Sequence, residues 1–436
     1  MRKIYRGIYT MDLIINQKNK ENLIIPKLFR DVSAAGIILT SIVPETSNRF
    51  IFLPLIIMWV LFSFFSDTRG FKKTFIDPNI KSYSVYLWIF TYFIFYITGY
   101  MKGEGIENYL TNYARFGFSI LLFSYYIEAC DYKAIRRLTF FSMGCIIYTC
   151  IMTLRALYLY PNAARLLSTG REELIEGLTG MMIGSYGFFY GLVFITITIL
   201  GGLKSGIIKK HKFIFVALLG LFIFTVFKAS FMIAILILTI ISVLLLFNVK
   251  NTANLAAVTL ILLSLFLILS PAIYNVFVFF GDTVKSEDLS MRFYEMAYFL
   301  KYGNADGTLD LASRLDLYAI SLKSFLSSPI IGVGGYYGYG TSFFGIGGHS
   351  AFLDELAKYG VLGSGFLFVA LISNARFVYR RFKDNKQKMV YYCSMLAFFI
   401  LGAINTLLFI PIAIMGYFVV PGIIFSISKI EKNLIN

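Results

Sequence analysis

The sequence predicts an all-α fold: a polytopic integral membrane protein with about twelve transmembrane helices and one large extracytoplasmic loop. Three observations carry that expectation. The 436 residues are 58% hydrophobic and only 15% charged, with a mean hydropathy of +0.73, a balance that no ordinary soluble domain shows. Apolar runs recur from residue 31 to residue 428 with one long interruption, so residues 1–436 read as a single polytopic unit. Residues 389–428 hold no Lys, Arg, Asp or Glu, enough for two crossings joined by a turn at Ile410-Pro411.

About 20 residues cross the hydrocarbon, fewer where Lys or Arg snorkel at the ends. On that length the spans fall at 31–44, 50–66, 82–100, 113–129, 138–160, 181–200, 212–227, 230–248, 254–280, 357–375, 389–409 and 411–428. The first is short and contains Asp31, so a start further upstream fits it better. Residues 213–248 are too long for one helix, which puts a turn at Phe227-Lys228-Ala229-Ser230. Gly187-x-x-x-Gly191 most simply permits close helix packing.

Forty basic residues against 24 acidic ones give a formal charge of +16. In a soluble protein that surplus would point to nucleic acid. Here, assigning alternate loops to the cytoplasm collects 27 of the 40 basic residues on one side, with both termini on that side. The surplus therefore reads as orientation and attraction to anionic membrane lipid, and no nucleic-acid partner is expected. The first 30 residues lack a signal-peptide core and cleavage site, so the N-terminus is expected to stay in the cytoplasm. The four cysteines have neither metal-site spacing nor the pattern of a disulfide framework.

Residues 281–349 are far longer than a connection between neighbouring helices requires, and loops of that length are usually functional. Within this segment Leu311, Leu315, Tyr318, Leu322 and Phe325 recur at helical spacing, which predicts an amphipathic helix over the membrane. Ser313 and Asp316 have the spacing of a capping box that would open it, and Ser328-Pro329 would end it. Arg314 would then sit in the first turn, where a cation opposes the helix dipole but can join free amides in holding a phosphate.

The other outer cations placed to grip an anion are Arg165 and Arg171 in the loop 161–180, and Lys228 at its span tip. Taken singly, each is explained as well by snorkelling or a surface ion pair, and for Arg171, beside Glu172 and Glu173, that reading is preferred. His349 closes the Gly-rich stretch and precedes Ser350, which can cap a helix with Asp354 and Glu355 in its first turns. An imidazole beside a helix N-terminus is biased to the neutral form that a general base needs, although a loop histidine more often only makes hydrogen bonds. Tyr336, Tyr337 and Tyr339 can stack on sugar faces or anchor the loop among headgroups. The glycines from Gly332 to Gly340 follow no predicted strand and are not a dinucleotide fingerprint. No Walker motif, zinc spacing or paired-carboxylate motif is present on the outer side, so neither a metal nor another cofactor is expected.

Ser313-Arg314 before an amphipathic helix, Pro329-Ile-Ile-Gly332-Val-Gly334, and His349-Ser-x-Phe352-Leu-x-x-Leu356-x-x-x-Gly360-x-x-Gly363 together resemble the bacterial O-antigen polymerase and ligase family. The resemblance extends to about twelve spans, cytoplasmic termini and one large late loop. It implies glycosyl transfer between undecaprenyl-diphosphate-linked oligosaccharide repeat units, without metal or nucleotide sugar, on the outer face of the bacterial cytoplasmic (inner) membrane. The product would be O-antigen, as in lipopolysaccharide, or capsule polysaccharide. The family's arginine and loop histidine map onto Arg314 and His349, with Ser350 where the family often has Asn. Its span-tip basic residue maps onto Lys228, a departure from the usual Arg, and its preceding loop arginine onto Arg165. Partners implied are the lipid-linked units, membrane lipids, a chain-length regulator and a flippase.

The Tyr-rich loop and the Phe-Lys-Ala-Ser-Phe tip resemble repeat-unit polymerases more than a ligase, which would transfer the glycan to lipid A-core. A twelve-span transporter or lipid-oligosaccharide flippase is the alternative of another class. It is disfavoured because the spans read as nearly free of charge at mid-depth and the long loop is confined to the second half.

Overall fold

The computed structural model describes residues 24–46, 49–77, 79–100, 106–168, 181–246, 273–284, 287–302, 310–334 and 346–427; a few side chains within these stretches, Arg165 and Arg314 among them, lie outside the description. Every regular element among the described residues is helical. In chain order they are α1 (Ile24–Ile42), α2 (Arg49–Ser66), α3 (Thr68–Phe71, continued by a π-helical turn Lys72–Ile76), α4 (Ile80–Ile97), α5 (Ile106–Glu128), α6 (Tyr132–Leu159) and α7 (Ala163–Ser168). Then come α8 (Tyr186–Lys204), α9 (Lys212–Lys228), α10 (Met232–Leu246), α11 (273–283), α12 (Glu287–Tyr302), α13 (Asp310–Ser327), α14 (Ala351–Arg381), α15 (Asn385–Ile404) and α16 (Ile410–Ile427, with a π-helical turn at Met415–Val419).

Six of these, α4, α6, α8, α14, α15 and α16, are long and apolar enough to cross a membrane, and α2 and α10 contain shorter apolar helices. The helices begin where polar side chains can take up their first free amides. Asn79, Asp131 and Ser185 cap α4, α6 and α8, accepting from the amides of Ser82 at 3.0 Å, Ala134 at 3.1 Å and Phe188 at 3.4 Å. The upstream start expected for the first span is observed at Ile24. The expected span 254–280 lies mostly outside the described residues; its last part is helical.

The bundle is apolar outward as well as inward. Along α2, Phe50, Leu53, Ile57, Leu61, Phe64 and Phe65 face out while Phe52, Ile56, Trp59 and Ser63 are buried. So large an exposed apolar stripe is what a membrane-embedded surface requires. The central helix is α8, buried on nearly every side among α9, α10, α15 and α16. Its Gly187 and Gly191 lie so close to Phe409 and Met415 that an added Cβ would fall 2.7 Å and 2.0 Å from them, so these glycines serve close packing.

The connections fall at two ends. One end gathers the turns at 67–77, 129–131, 205–211 and 382–384; the other gathers 43–46, 98–100, 160–168, 181–185, 229–231, 346–350 and 405–409. We call them the Asp131 end and the His349 end.

At the His349 end α14 is broken. Gly360 has left-handed φ of +59° and ψ of −167°, so Ala351–Tyr359 and Val361–Arg381 are two helical pieces, and the span expected at 357–375 straddles the break. The strap Pro329–Gly334, which turns at Pro329–Ile331, fills it. Val333 and Gly334 donate to the carbonyls of Ala357 (2.8 Å) and Lys358 (2.9 Å), while Val361 and Leu362 donate to those of Pro329 (2.8 Å) and Ile330 (3.0 Å). The backbone groups freed by the break are thus satisfied inside the protein, the condition for irregular chain at membrane depth. A Cβ at Gly332 would meet Lys358 backbone at 2.3 Å and one at Gly360 would meet Ile330 backbone at 2.3 Å, which explains both glycines sterically.

Candidate functional site

Two features expected of α13 are corrected. The helix already includes Asp310, Leu311 and Ala312, so Ser313 is interior rather than a cap, and position 314 is in the second turn. An acidic residue at the first position suits the positive end of the helix. The leucine face of the helix is turned outward and small polar residues inward. Leu315 and Leu322 are exposed, whereas Ser321 and Ser324 are buried, because contact with the chain before α14 is too close for large side chains.

That contact builds the loop carrying His349. Ser321 Oγ donates to Asp354 Oδ1 at 2.6 Å and accepts the Gly347 amide at 2.9 Å. Asp354 also accepts the amides of Gly348 (3.3 Å) and Ser350 (3.1 Å). One carboxylate therefore clamps the residue on each side of His349. Gly348 turns the chain with φ of +74°, and an added Cβ at Gly347 would lie 2.0 Å from the Leu317 carbonyl oxygen. Ser350 caps α14 as expected, accepting the Leu353 amide at 3.2 Å, and its hydroxyl donates to the Ala403 carbonyl at 2.7 Å. His349 itself is half-buried.

Asn405 ties this loop to the tip between α9 and α10. Its carbonyl accepts the Ala351 amide at 2.9 Å, its side-chain amide donates to the Tyr190 hydroxyl at 2.5 Å, and its Oδ1 accepts from Tyr186. Phe231 packs on Phe189 (4.5 Å between centroids), Tyr186 (5.5 Å) and Tyr190 (5.6 Å). Three residues before it, Lys228 ends α9, and Ser230, with φ of +63°, makes the turn. Lys228 is exposed with its Nζ 5.7 Å from the Phe224 ring centroid, and among the described residues no carboxylate pairs with it.

His349 and Lys228 are thus brought to one end of the bundle. Position 314 lies on the same face of α13 as Leu317, Tyr318 and Ser321, the face applied to the His349 loop, and Tyr318 donates to the Ile404 carbonyl at 2.6 Å beside Asn405. The side chain of Arg314 lies outside the described residues, as does that of Arg165, whose backbone is in α7 just beyond α6. Arg171, Tyr336, Tyr337 and Tyr339 lie outside them altogether.

Sequence reasoning missed the ionisable groups buried in the same half of the bundle. Glu355 accepts from the hydroxyls of Tyr92 and, at 2.7 Å, Tyr113, with Lys358 Nζ at 3.4 Å. Arg115 on α5 is buried against Phe52, its guanidinium carbon 4.2 Å from that ring's centroid. Arg115 and Lys358 lie at the starts of the expected spans 113–129 and 357–375, and Glu355 just before the second. Asp354, Glu355 and Lys358 within four positions of a span-like segment were the available signal. Among the described residues no cluster of His, Cys, Asp or Glu is arranged to hold a metal ion, and all four cysteines are free. No protein-family model matches the chain, and no curated protein is significantly similar to it.

Proposed function

We propose that this chain is a metal-independent membrane glycosyltransferase that joins undecaprenyl-diphosphate-linked oligosaccharide repeat units into O-antigen or capsule polysaccharide. The observation that carries the reading is the clamped loop of His349 at the same end of the bundle as the Lys228 tip and the face of position 314. In this reading twelve helices cross the bacterial cytoplasmic membrane, both termini are cytoplasmic, and the His349 end with the 281–349 segment faces outward.

His349 takes the proton of the acceptor sugar hydroxyl as that oxygen bonds to the donor's anomeric carbon. The bond from that carbon to the diphosphate breaks, and undecaprenyl diphosphate leaves with the electron pair. Arg165, Lys228 and Arg314 hold the diphosphate and stabilise the charge that develops on it. The tyrosines at 336, 337 and 339 offer stacking faces for sugar. Asp354 positions His349 by fixing the amides on both sides of it.

The buried Arg115, Glu355 and Lys358 are what a transporter would use, so the test separates the classes. Purified protein is incubated with a polyprenyl-diphosphate repeat unit, and the products are resolved by size. A ladder of multiples supports polymerisation. Growth only when lipid A-core is added assigns a ligase, and movement of intact substrate across a vesicle membrane without any new glycosidic bond assigns a transporter.

A further inference from the structure

Four buried cations occur among the described residues, and three of them face a carboxylate. Arg30 bonds Asp31 at 2.7 Å and Asp131 at 2.6 Å, Lys81 approaches Glu128 at 3.4 Å, and Lys358 approaches Glu355 at 3.4 Å. Arg115 is the exception. Only 5% of it is exposed, yet among the described residues its Nε and Nη2 have no hydrogen-bond partner, and its Nη1 makes one long bond of 3.4 Å to Asn112 Oδ1. The Phe52 ring lies against the guanidinium, but a ring face cannot accept the two N–H groups in the guanidinium plane. Leaving a charge buried without a counter-charge is costly, so such a group is retained for something that completes it.

The free atoms specify what that is. Nε and Nη2 lie on one edge of the guanidinium and project two parallel N–H groups, the fork that matches two oxygens of a phosphate. Arg115 sits in the half of α5 nearer the His349 end. Arg115 is nine residues into α5 from Ile106, about 13 Å along the helix. Side chains of a helix lean toward its N-terminus, which here is the His349 end, and Asn112, one turn nearer that end, is exposed. We infer that Arg115 is an anion-binding residue whose Nε and Nη2 take a phosphoryl group entering the bundle from the His349 end. That group comes either from the diphosphate of a lipid-linked sugar, in which case the inference rests on the function proposed above, or from the headgroup of an anionic phospholipid.

The test follows thermal unfolding of the purified full-length protein with inorganic pyrophosphate, with polyprenyl diphosphate, and in nanodiscs with or without phosphatidylglycerol. The wild type is compared with Arg115→Met and Arg115→Lys. Wild-type Tm rises with the phosphoryl probe it binds. Ligand-free Arg115→Met unfolds at or above the wild-type temperature, since an unpaired charge has been removed, and it binds the probe about ten- to a hundred-fold more weakly. Arg115→Lys, which keeps the charge without the fork, also binds more weakly, and it carries the test if the Met variant does not fold. Loss confined to the two diphosphates identifies the lipid-linked substrate as the source; loss confined to phosphatidylglycerol identifies the headgroup. The inference is overturned if no probe raises wild-type Tm, or if both variants bind as tightly as the wild type. A Met variant that folds but is markedly destabilised, restored by Lys with binding unchanged, also overturns it. Because the readout is binding, absence of glycosyl transfer by the wild type would remove the proposed function without touching this result.

Discussion

The two ends of the bundle treat charge differently. At the Asp131 end, cations and carboxylates answer one another across helices: Arg30 with Asp31 and Asp131, Arg137 with Asp31 at 2.7 Å, and Arg381, Lys81 and Lys73 around Glu128 at 2.7, 3.4 and 4.0 Å. Tyr126 adds its hydroxyl to Asp31 at 3.1 Å and its ring to Arg30. At the His349 end Lys358 meets Glu355 at 3.4 Å, but among the described residues Arg115 has two N–H-bearing nitrogens unanswered and Lys228 has no carboxylate, while the carboxylate of Asp354 holds backbone amides. Charges that neutralise one another fasten helices together. A buried cation left without a partner, as Arg115 is among the described residues, retains capacity for an anion.

The largest effect expected from breaking this contrast is on stability. Arg30→Met strips Asp131 of its hydrogen-bonded cation and leaves Asp31 only Arg137, which should cost about 3–5 kcal/mol in an unfolding titration. An equally stable variant would dissolve the distinction between the ends. On activity, Arg314→Ala should lower polymer formation by about a hundred- to a thousand-fold, the usual cost of removing one group that stabilises departing charge. Arg314→Lys should lower it less, since it keeps charge but loses the planar fork. Full-length polymer from a normally expressed Ala variant would take Arg314 out of the mechanism.

A smaller effect should appear with pH at the paired end. Burial pushes the Asp131 carboxyl up, but the hydrogen bond and charge of Arg30 and the Ala134 amide outweigh it and hold the group below its usual range. A carboxyl depressed in the folded state stabilises the fold above its unfolded pKa of about 3.9 and loses that contribution as pH falls through the folded value. Thermal unfolding measured from neutral pH down to about pH 3 should show a loss that is reduced in Asp131→Asn; parallel curves would mean the pairing contributes nothing. The smallest difference expected is between two loop cations, with Arg171→Ala reducing polymer less than Arg165→Ala.

Much of this architecture was legible in the sequence where local chemistry decides it. The tip at Lys228–Ser230 followed from a run too long for one helix, and it is observed with α9 ending at Lys228 and a left-handed Ser230. The Ser350 cap followed from residue type and position and is made. What could not be read depends on partners distant along the chain. Ser321 and Ser324, rather than Leu315 and Leu322, face inward because the Gly347 backbone lies against α13. Gly360 breaks α14 because the strap from Pro329 supplies the missing backbone partners. The isolation of Arg115 is visible only once the groups around it are placed, and the bond from Ala351 to Asn405 spans 54 residues of chain.

The central claim, that the unanswered end is where the chemistry happens, is tested most directly by His349→Gln in purified protein, with turnover and lipid-diphosphate binding measured on the same preparation. Gln keeps much of the size and hydrogen bonding of His but accepts no proton near neutral pH. Turnover should fall about a hundred- to ten-thousand-fold with binding little changed, because the cations are untouched. A correctly inserted His349→Gln protein that binds substrate and polymerises at the wild-type rate would contradict it.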